Sequence, residues 1–171
     1  QAILGTWPAA SGADDLRERL HAYAQKAMRE AGDRTTWTDP DADYEAAVHA
    51  AVDAALDDDA VRRVLEGVLT RIVDAGWANA LSAKLLALTV PGVPDVYQGS
   101  ELWQQSLVDP DNRRPVDYAL RADLAAELAE GAQPALVGGT DDPGTAKLLV
   151  TRAALRLRRD RPELFETYVP L

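Results

Sequence analysis

The sequence predicts a mostly α-helical chain with one or two short strands. Apolar residues recur three or four positions apart through most of its length, as they do on one face of an α-helix. Proline and glycine separate these stretches at points where helices commonly end. Residues 93–97 are the exception: we predict a short strand there, because Pro94 is tolerated only near the end or edge of a strand.

Four helices are expected before residue 91. The first follows a capping box at Ser11 and runs to Gly32, and the second follows the break at Asp39-Pro40. Acidic residues 57–59 should cap the third, where the helix dipole favours negative charge, and Gly76 either ends or interrupts it. A fourth pattern then continues to Pro91. The supporting apolar positions are Leu16, Leu20, Tyr23, Ala27; Tyr44, Val48, Val52, Leu56; Val61, Val64, Leu65, Val68, Leu69, Ile72; and Leu81, Leu85, Leu88.

After the predicted strand, residues 100–115 should form a loop and Arg121–Glu130 a short helix. Residues 131–144 are rich in glycine, proline and aspartate, which predicts a flexible connection. Thr145–Arg159 has the apolar spacing of a further helix, with three arginines on one flank.

Composition excludes several classes of function. The chain has 171 residues, 47% of them hydrophobic, which is enough for one domain with a core. It has no cysteine and two histidines, His21 and His49, so we expect no disulfide, no thiolate nucleophile, no metal site and no cofactor. A net charge of −10 argues against nucleic-acid binding, which needs a positive face.

The remaining composition suggests a cytoplasmic protein with a neutral ligand such as a sugar. No apolar run approaches the roughly 20 residues that cross a bilayer, and the start lacks the basic residues of a signal peptide. Because the chain begins with Gln1 and ends in an apolar, strand-like run, we expect it to be a piece of a longer protein.

One window is strongly acidic. Eight aspartates and glutamates, and no lysine or arginine, lie between Arg34 and Arg62. A solvated helix face explains this pattern, and the alternative is a docking surface for a basic partner or for the arginine-rich segment 152–161.

Residues 91–117 carry the residue types of a sugar site. Aromatic rings stack on the apolar face of a pyranose, while carboxylates, amides and guanidinium groups hydrogen-bond its hydroxyls. The substrate-binding candidates are Tyr97, Gln98, Glu101, Trp103, Asp109, Asn112, Arg113, Arg114 and Asp117. Structural roles are the alternative for each. The two arginines would tie the loop to Asp109, Asp111 or Asp117, Tyr97 and Trp103 would cover core, and Gly99 would supply a positive φ.

Two segments carry a family resemblance. Pro91-Gly92-Val93-Pro94-Asp95-Val96-Tyr97-Gln98-Gly99-Ser100-Glu101 resembles the last strand and following loop of the α-amylase superfamily barrel. Its continuation through Leu102-Trp103 and Ser106-Leu107-Val108-Asp109-Pro110-Asp111-Asn112-Arg113-Arg114-Pro115-Val116-Asp117-Tyr118 resembles, more specifically, the maltooligosyl trehalose synthase family. Supporting matches include Gly5-Thr6-Trp7-Pro8 and Thr36-Trp37-Thr38-Asp39-Pro40.

The resemblance implies the C-terminal part of a (β/α)8 barrel with a helical insertion, followed in the parent protein by a β domain. Residues 1–90 would be helical with a strand remnant near 1–7, and 91–130 would hold the last strand, the substrate-side loop and a short helix. The connection and final helix would occupy 131–165, and 166–171 would begin the β domain. The chain has no His-Asp pair of the superfamily's catalytic type, so no catalytic residue is assigned to it.

The implied reaction converts the reducing-end α-1,4 linkage of a maltodextrin to an α,α-1,1 linkage through a glycosyl-enzyme. Two alternatives stay open. One is an α-amylase-type hydrolase or transglycosylase, and the other is a non-catalytic, acidic helical interaction module. A barrel remnant, unlike such a module, should expose a large apolar surface.

Overall fold

The structure is a computed structural model that describes residues 1–7, 13–135 and 144–169. In these residues it forms six α-helices: Ala2–Thr6 (α1), Ala13–Ala31 (α2), Ala42–Asp57 (α3), Asp59–Thr89 (α4), Tyr118–Ala129 (α5) and Thr145–Asp160 (α6). Short 3₁₀ turns lie at Asp111–Arg113 and Pro162–Phe165. The mostly α-helical prediction is therefore confirmed. No helix in the described ranges is long and apolar enough to cross a membrane.

The predicted strands are wrong for the part of the chain that the structure describes. Residues 93–97 have no regular secondary structure, and the expected strand remnant near 1–7 is helix α1. A strand is stabilised by hydrogen bonds to a neighbouring strand, and no strand is present in the described ranges. In α1 the backbone bonds locally instead, since the Trp7 amide donates to the Ile3 carbonyl at 3.0 Å.

Three predictions fall partly or wholly on residues outside the ranges that the structure describes. The capping box at Ser11 lies outside the described residues, as do 136–143 of the predicted connection and 170–171 of the predicted β-domain start. Residues 166–169 are described and contain no strand.

The chain divides into two compact units, and each is described by itself. The first comprises Gln1–Arg71 and Gln105–Arg114, and the second comprises Ile72–Gln104 and Pro115–Leu171. Because helix α4 crosses the boundary between them, it contributes its first part to one unit and its last part to the other.

The first unit has a small core between α2 and α3. Leu16 and Leu20 of α2 are buried together with Leu56 of α3, and Ala2, Ile3, Trp7, Val52 and Leu107 pack against them. The Asp41 carboxylate caps α3 by accepting a hydrogen bond from the Tyr44 amide at 3.0 Å. Asp58 begins α4 in the same way, with the Ala60 amide donating to its carboxylate at 2.6 Å. The predicted acidic cap is thus confirmed at Asp58.

Several carboxylates of the acidic window form ion pairs with helix α2. Arg17 contacts Asp53 at 2.6 Å and Asp57 at 2.5 Å, while Arg29 contacts Glu45 at 2.8 Å. The hydrogen bonds from Arg29 and Thr35 lower the pKa of Glu45 to about 2. These pairs stabilise the packing of α3 against α2, so three of the eight acidic residues of the window have a cationic partner within the first unit.

The second unit has a core between the turn at residue 102, α5 and α6. Leu102, Leu128 and Leu148 are buried together there. The last part of α4 contributes the fully buried Leu88. Arg158 of α6 donates to the Leu88 carbonyl at 3.0 Å and to the Val90 carbonyl at 3.1 Å, so the end of α4 is satisfied by a side chain.

Helix α4 nevertheless exposes much of its apolar side. Leu88 is its one buried residue, although the helix has 31 residues. The predicted face is partly exposed, with Val64 66% and Ile72 45% accessible, and Leu85 and Leu86 are 47% and 60% accessible. Gly76 neither ends nor interrupts the helix. The exposed apolar residues agree with the expectation for a remnant of a larger protein.

Candidate functional site

The nine predicted site residues are divided between the two units. The first unit contains Asp109, Asn112, Arg113 and Arg114, and the second contains Tyr97, Gln98, Glu101, Trp103 and Asp117. In each unit these residues belong to a short segment that helices hold in place, except Asp117, which is the N-cap of α5. We call residues 105–114 the anchored loop and residues 97–103 the aromatic turn.

Asp111 is the centre of the anchored loop. Arg19 of α2 donates to both of its carboxylate oxygens, from Nε at 2.7 Å and from Nη2 at 3.0 Å. The Leu107 amide donates to the same carboxylate at 2.6 Å. Burial raises the pKa of Asp111, but the hydrogen bonds from Arg19 and the Leu107 amide lower it more, so the net shift is downward.

Three other cations bind groups of the loop, and two of them, Arg113 and Arg114, belong to the loop itself. Lys26 of α2 donates to the Asp109 carbonyl at 2.9 Å. Arg113 contacts the Asp109 carboxylate at 2.6 Å, and Arg114 contacts Asp111 at 3.3 Å. The predicted tying role of the two arginines is therefore confirmed. The hydrogen bond from Arg113 lowers the pKa of Asp109, which keeps this carboxylate ionised.

A groove of about 280 Å³ lies between α2 and the anchored loop. An apolar wall is supplied by Ala22, Tyr23, Val108 and Pro110, and charged groups supply the rest of the lining: Asp15, Glu18, Arg19, Asp109, Asp111 and Arg114. Beside it in the loop, Asn112 has a buried Oδ1 with no hydrogen-bond partner. This combination of a ring, carboxylates and guanidinium groups is suited to a polyhydroxyl ligand.

The aromatic turn is closed by its own backbone. The Tyr97 carbonyl accepts hydrogen bonds from the Ser100 amide at 3.1 Å and from the Ser100 hydroxyl at 2.6 Å. Gly99 has a φ of +83°, and a Cβ there would lie 3.2 Å from a methyl of Val116. The predicted positive φ is confirmed. Tyr97 is 45% exposed, so its ring does not serve as core.

Arg121 of α5 binds the middle of the aromatic turn and the residue that precedes α5. Its guanidinium forms an ion pair with the Glu101 carboxylate and donates to the Gly99 and Asp117 carbonyls, each at 2.9 Å. Asp117 is the N-cap of α5, where its carboxylate accepts from the Leu120 amide at 2.9 Å. Gln98 is exposed and accepts from the Tyr118 hydroxyl at 3.3 Å.

Two lysines, Lys147 and Lys84, influence the aromatic turn. Lys147 of α6 donates to the Leu102 carbonyl at 3.0 Å and lies 5.5 Å from the centre of the Trp103 ring. That ring stacks on Trp77 with a centroid separation of 4.3 Å. Burial lowers the pKa of Lys147 to about 8, repulsion from Lys84 adds to the decrease, and Glu101 opposes it.

The residues that hold the two segments were not among the predicted site residues: Arg19, Lys26, Trp77, Lys84, Arg121 and Lys147. A signal existed for some of them. Arg19 is three residues after Leu16 and four before Tyr23, so it falls on the buried side of α2, where a cation needs a partner. The partner itself, Asp111, is 92 residues away in sequence and carries no such signal.

Two carboxylates of the anchored loop, those of Asp109 and Asp111, have a pKa that their hydrogen-bond partners lower. Asp109 is therefore suited to positioning hydroxyl groups, and an ionised carboxylate cannot donate a proton to a leaving group. Among the residues that the structure describes, no group of three or more histidines, aspartates and glutamates is placed to bind a metal ion.

Comparison with known proteins gives one consistent result. No family model matches the chain. Two curated relatives from Mycobacterium tuberculosis, strains CDC 1551 / Oshkosh and ATCC 25618 / H37Rv, carry the name maltooligosyl trehalose synthase. Each is 46% identical over 166 residues, which is 96% of this chain and 20% of the relative. The chain thus spans about a fifth of the length of the curated relatives that it matches.

Solved structures agree with these relatives. The maltooligosyltrehalose synthase from Arthrobacter ramosus is 50% identical with a TM-score of 0.86, and the match covers 99% of this chain and 21% of that chain. The hypothetical maltooligosyl trehalose synthase from Sulfolobus tokodaii is 30% identical with a TM-score of 0.80, covering 99% of this chain and 23% of that chain. The resemblance predicted from the sequence is confirmed.

Proposed function

We propose that this chain, which is homologous to one segment of the maltooligosyl trehalose synthases, is part of an intramolecular transglucosidase. The reaction converts the reducing-end α-1,4 linkage of a maltooligosaccharide into an α,α-1,1 linkage, which gives maltooligosyl trehalose. The observation that carries this proposal is the match of 96% of the chain by sequence and 99% by structure to proteins of that name.

In this proposal the chain supplies positioning groups and the rest of the enzyme supplies the catalytic carboxylates. The nine candidate residues divide by exposure. Tyr97 is 45% exposed and the Arg113 side chain is 65% exposed, so both can reach a sugar. Glu101 and Asp117 have structural partners in Arg121 and the start of α5, and they act mainly by holding the aromatic turn.

The proposed architecture is the C-terminal part of a (β/α)8 barrel with a helical insertion. Residues 1–90 form the helical part, 91–130 the substrate side, 131–165 the connection and final helix, and 166–171 the start of a β domain. The exposed apolar residues of α4 support this arrangement, because they need cover from another part of the protein. We also place the enzyme in the cytoplasm, without nucleic-acid or membrane partners.

A segment exchange tests the function. The matching fifth of the Arthrobacter ramosus synthase is replaced by this chain, and the chimera is incubated with maltopentaose. We expect reducing ends to disappear as trehalose-ended product forms. The intact host enzyme is the positive control, and the host without the segment is the negative control. The 171-residue chain alone should convert nothing, because it has no catalytic carboxylate pair to supply.

The same assay separates the hydrolase alternative. An α-amylase-type hydrolase multiplies reducing ends, whereas the proposed isomerisation removes them. A chimera that releases only shorter reducing oligosaccharides would therefore replace the proposed function with hydrolysis. A folded chimera without any activity would show that this chain cannot serve as a synthase segment, and the proposal would then be withdrawn.

A further inference from the structure

We infer that Arg19 of helix α2 is a positioning residue that sets how well the anchored loop retains the released glucose during the reaction. This inference rests on the proposed function, and it concerns a residue whose guanidinium is bound to the anchored loop. Its basis is the set of contacts that Arg19 makes to the anchored loop within the first unit.

The first observation is that Arg19 makes three hydrogen bonds to the anchored loop. Its guanidinium donates two hydrogen bonds to the Asp111 carboxylate, at 2.7 Å and 3.0 Å, and one to the Gln105 carbonyl at 2.6 Å. The Arg19 and Asp111 side chains are only 6% and 9% exposed. A planar guanidinium that contacts both carboxylate oxygens fixes orientation as well as distance.

The second observation is that α2 contacts the loop at further points. Lys26, seven residues and two helical turns after Arg19, donates to the Asp109 carbonyl at 2.9 Å. Elsewhere in the loop, Leu107 packs on the core formed by Leu16, Leu20 and Leu56. The loop is therefore fastened to α2 by a buried ion pair, a second cation and an apolar contact.

The third observation concerns what the loop presents. Arg113 and Asp109 face outward, with side chains 65% and 42% exposed, while Asp111 lies inward against Arg19. Movement of Asp111 would move the exposed pair on either side of it. In a mutase the released glucose must stay in place while water is kept out, so a displaced loop favours hydrolysis over isomerisation.

The test uses the chimeric synthase and measures a ratio of products. Glucose released and trehalose-ended product formed from maltopentaose are quantified for the variants Arg19→Met and Arg19→Lys. We expect Arg19→Met to raise the ratio of glucose to trehalose-ended product about tenfold. Arg19→Lys keeps the charge but loses the forked geometry, so its increase should be about threefold. The amount of folded enzyme cancels in this ratio, so a merely structural role would leave it unchanged.

Arg17→Met is the matched control. Arg17 lies in the same helix but contacts Asp53 and Asp57 of α3 and not the anchored loop. Its removal should leave the product ratio unchanged. Asp111→Asn should reproduce the effect of Arg19→Met, and the double variant should be no worse than either single variant if the two residues act as a unit.

A product ratio that stays within about twofold of the parent in Arg19→Met would overturn the inference, whereas a chimera inactive with Arg19 intact would count against the proposed function instead. In that second case, hydrogen exchange in the 171-residue chain decides. Arg19→Met should speed exchange of the Leu107 amide, which bonds to Asp111, without changing that of the Asp58 amide, which bonds to Ala54. Equal exchange at Leu107 in both proteins would overturn the inference, and Asp111→Asn provides the same measurement if Arg19→Met does not fold.

Discussion

The anchored loop and the aromatic turn present similar residues but are stabilised by opposite arrangements. In the anchored loop a carboxylate, Asp111, is inside and accepts hydrogen bonds from a helix cation and a loop amide. In the aromatic turn a cation, Lys147, is inside and donates to a backbone carbonyl beside the Trp103 ring. One segment thus encloses a carboxylate that folding keeps ionised, and the other encloses a partly buried lysine whose charged form folding disfavours.

Both segments gain stability as the pH rises, but over different intervals and for opposite reasons, because folding favours the ionised form of Asp111 and the neutral form of Lys147. The pKa of Asp111 is lowered from 3.8, so its contribution to stability is present above about pH 4 and is lost as the pH falls through the folded-state pKa. The pKa of Lys147 is lowered from 10.5 to about 8, so the unfolded chain binds more protons between these values. The contribution of Lys147 to stability therefore rises with pH across that interval.

The largest expected effect is the loss of Asp111. Asp111→Ala leaves the Arg19 guanidinium buried without its carboxylate and the Leu107 amide without an acceptor. Removing one partner of such a buried pair should lower the free energy of unfolding by about 3 kcal/mol. Urea denaturation of the chain, monitored by far-UV circular dichroism, measures this change.

Asp109→Ala is the control for that variant. Asp109 also pairs with an arginine of the loop, but its side chain is 42% exposed and that of Arg113 is 65% exposed. Water replaces the lost contact, so the urea midpoint should stay where it is. Equal midpoints for Asp111→Ala and Asp109→Ala would mean that burial does not distinguish the two pairs, and the account of the anchored loop would be wrong.

A smaller effect is expected at the aromatic turn. Gly144 precedes α6 with a φ of +101°, and a Cβ there would lie 2.6 Å from the backbone nitrogen of Trp103. Gly144→Ala therefore combines strain at a positive φ with a steric clash, and it should cost about 2 kcal/mol of unfolding free energy.

Gly131 allows these two causes to be separated. Its φ is +102°, almost equal to that of Gly144, but the space that a Cβ would occupy there is open, with no contact within 4 Å. Gly131→Ala should therefore show the strain alone, at about 1 kcal/mol. If the two variants unfold at the same urea concentration, the close approach of Trp103 to Gly144 does not contribute.

The helices could be predicted from the sequence because their signals are local. Leu16, Leu20 and Leu56 recur at helical spacing and are the residues buried in the first unit. Asp58 acts as the N-cap of α4, as the run of acidic residues at 57–59 predicted. The strand at 93–97 could not be judged in this way, because a strand depends on a neighbouring strand and not on its own residues.

The candidate site was predictable in residue type but not in arrangement. Tyr97, Glu101 and Asp109 follow from a motif of aromatic and charged residues, whereas the cations that hold the two segments come from distant helices. Arg19 and Lys147 are 92 and 45 residues from the groups that they bind. Only the folded chain relates such positions, so the pairing of Arg19 with Asp111 and of Lys147 with Leu102 had no sequence signal.

The smallest expected effect is a change in the pKa of Lys147 when a neighbouring charge is removed. The chain has three lysines, Lys26, Lys84 and Lys147, so their side-chain carbon signals can be assigned by nuclear magnetic resonance and followed through a pH titration. Lys147 should titrate near pH 8, mainly because of burial. Lys84→Met removes a repelling cation and should raise this value, while Glu101→Gln removes an attracting carboxylate and should lower it.

The directions of these two shifts test whether Lys147 is the partly buried cation of the aromatic turn. If Lys147 is set by burial and by its charged neighbours, the two variants must move its pKa in opposite directions, and neither should restore the ordinary 10.5 because the burial remains. A Lys147 that titrates above pH 10 in the parent chain would mean that its ammonium is solvated. The aromatic turn would then lack a partly buried cation. The contrast between Asp111 in the anchored loop and Lys147 in the aromatic turn would be wrong.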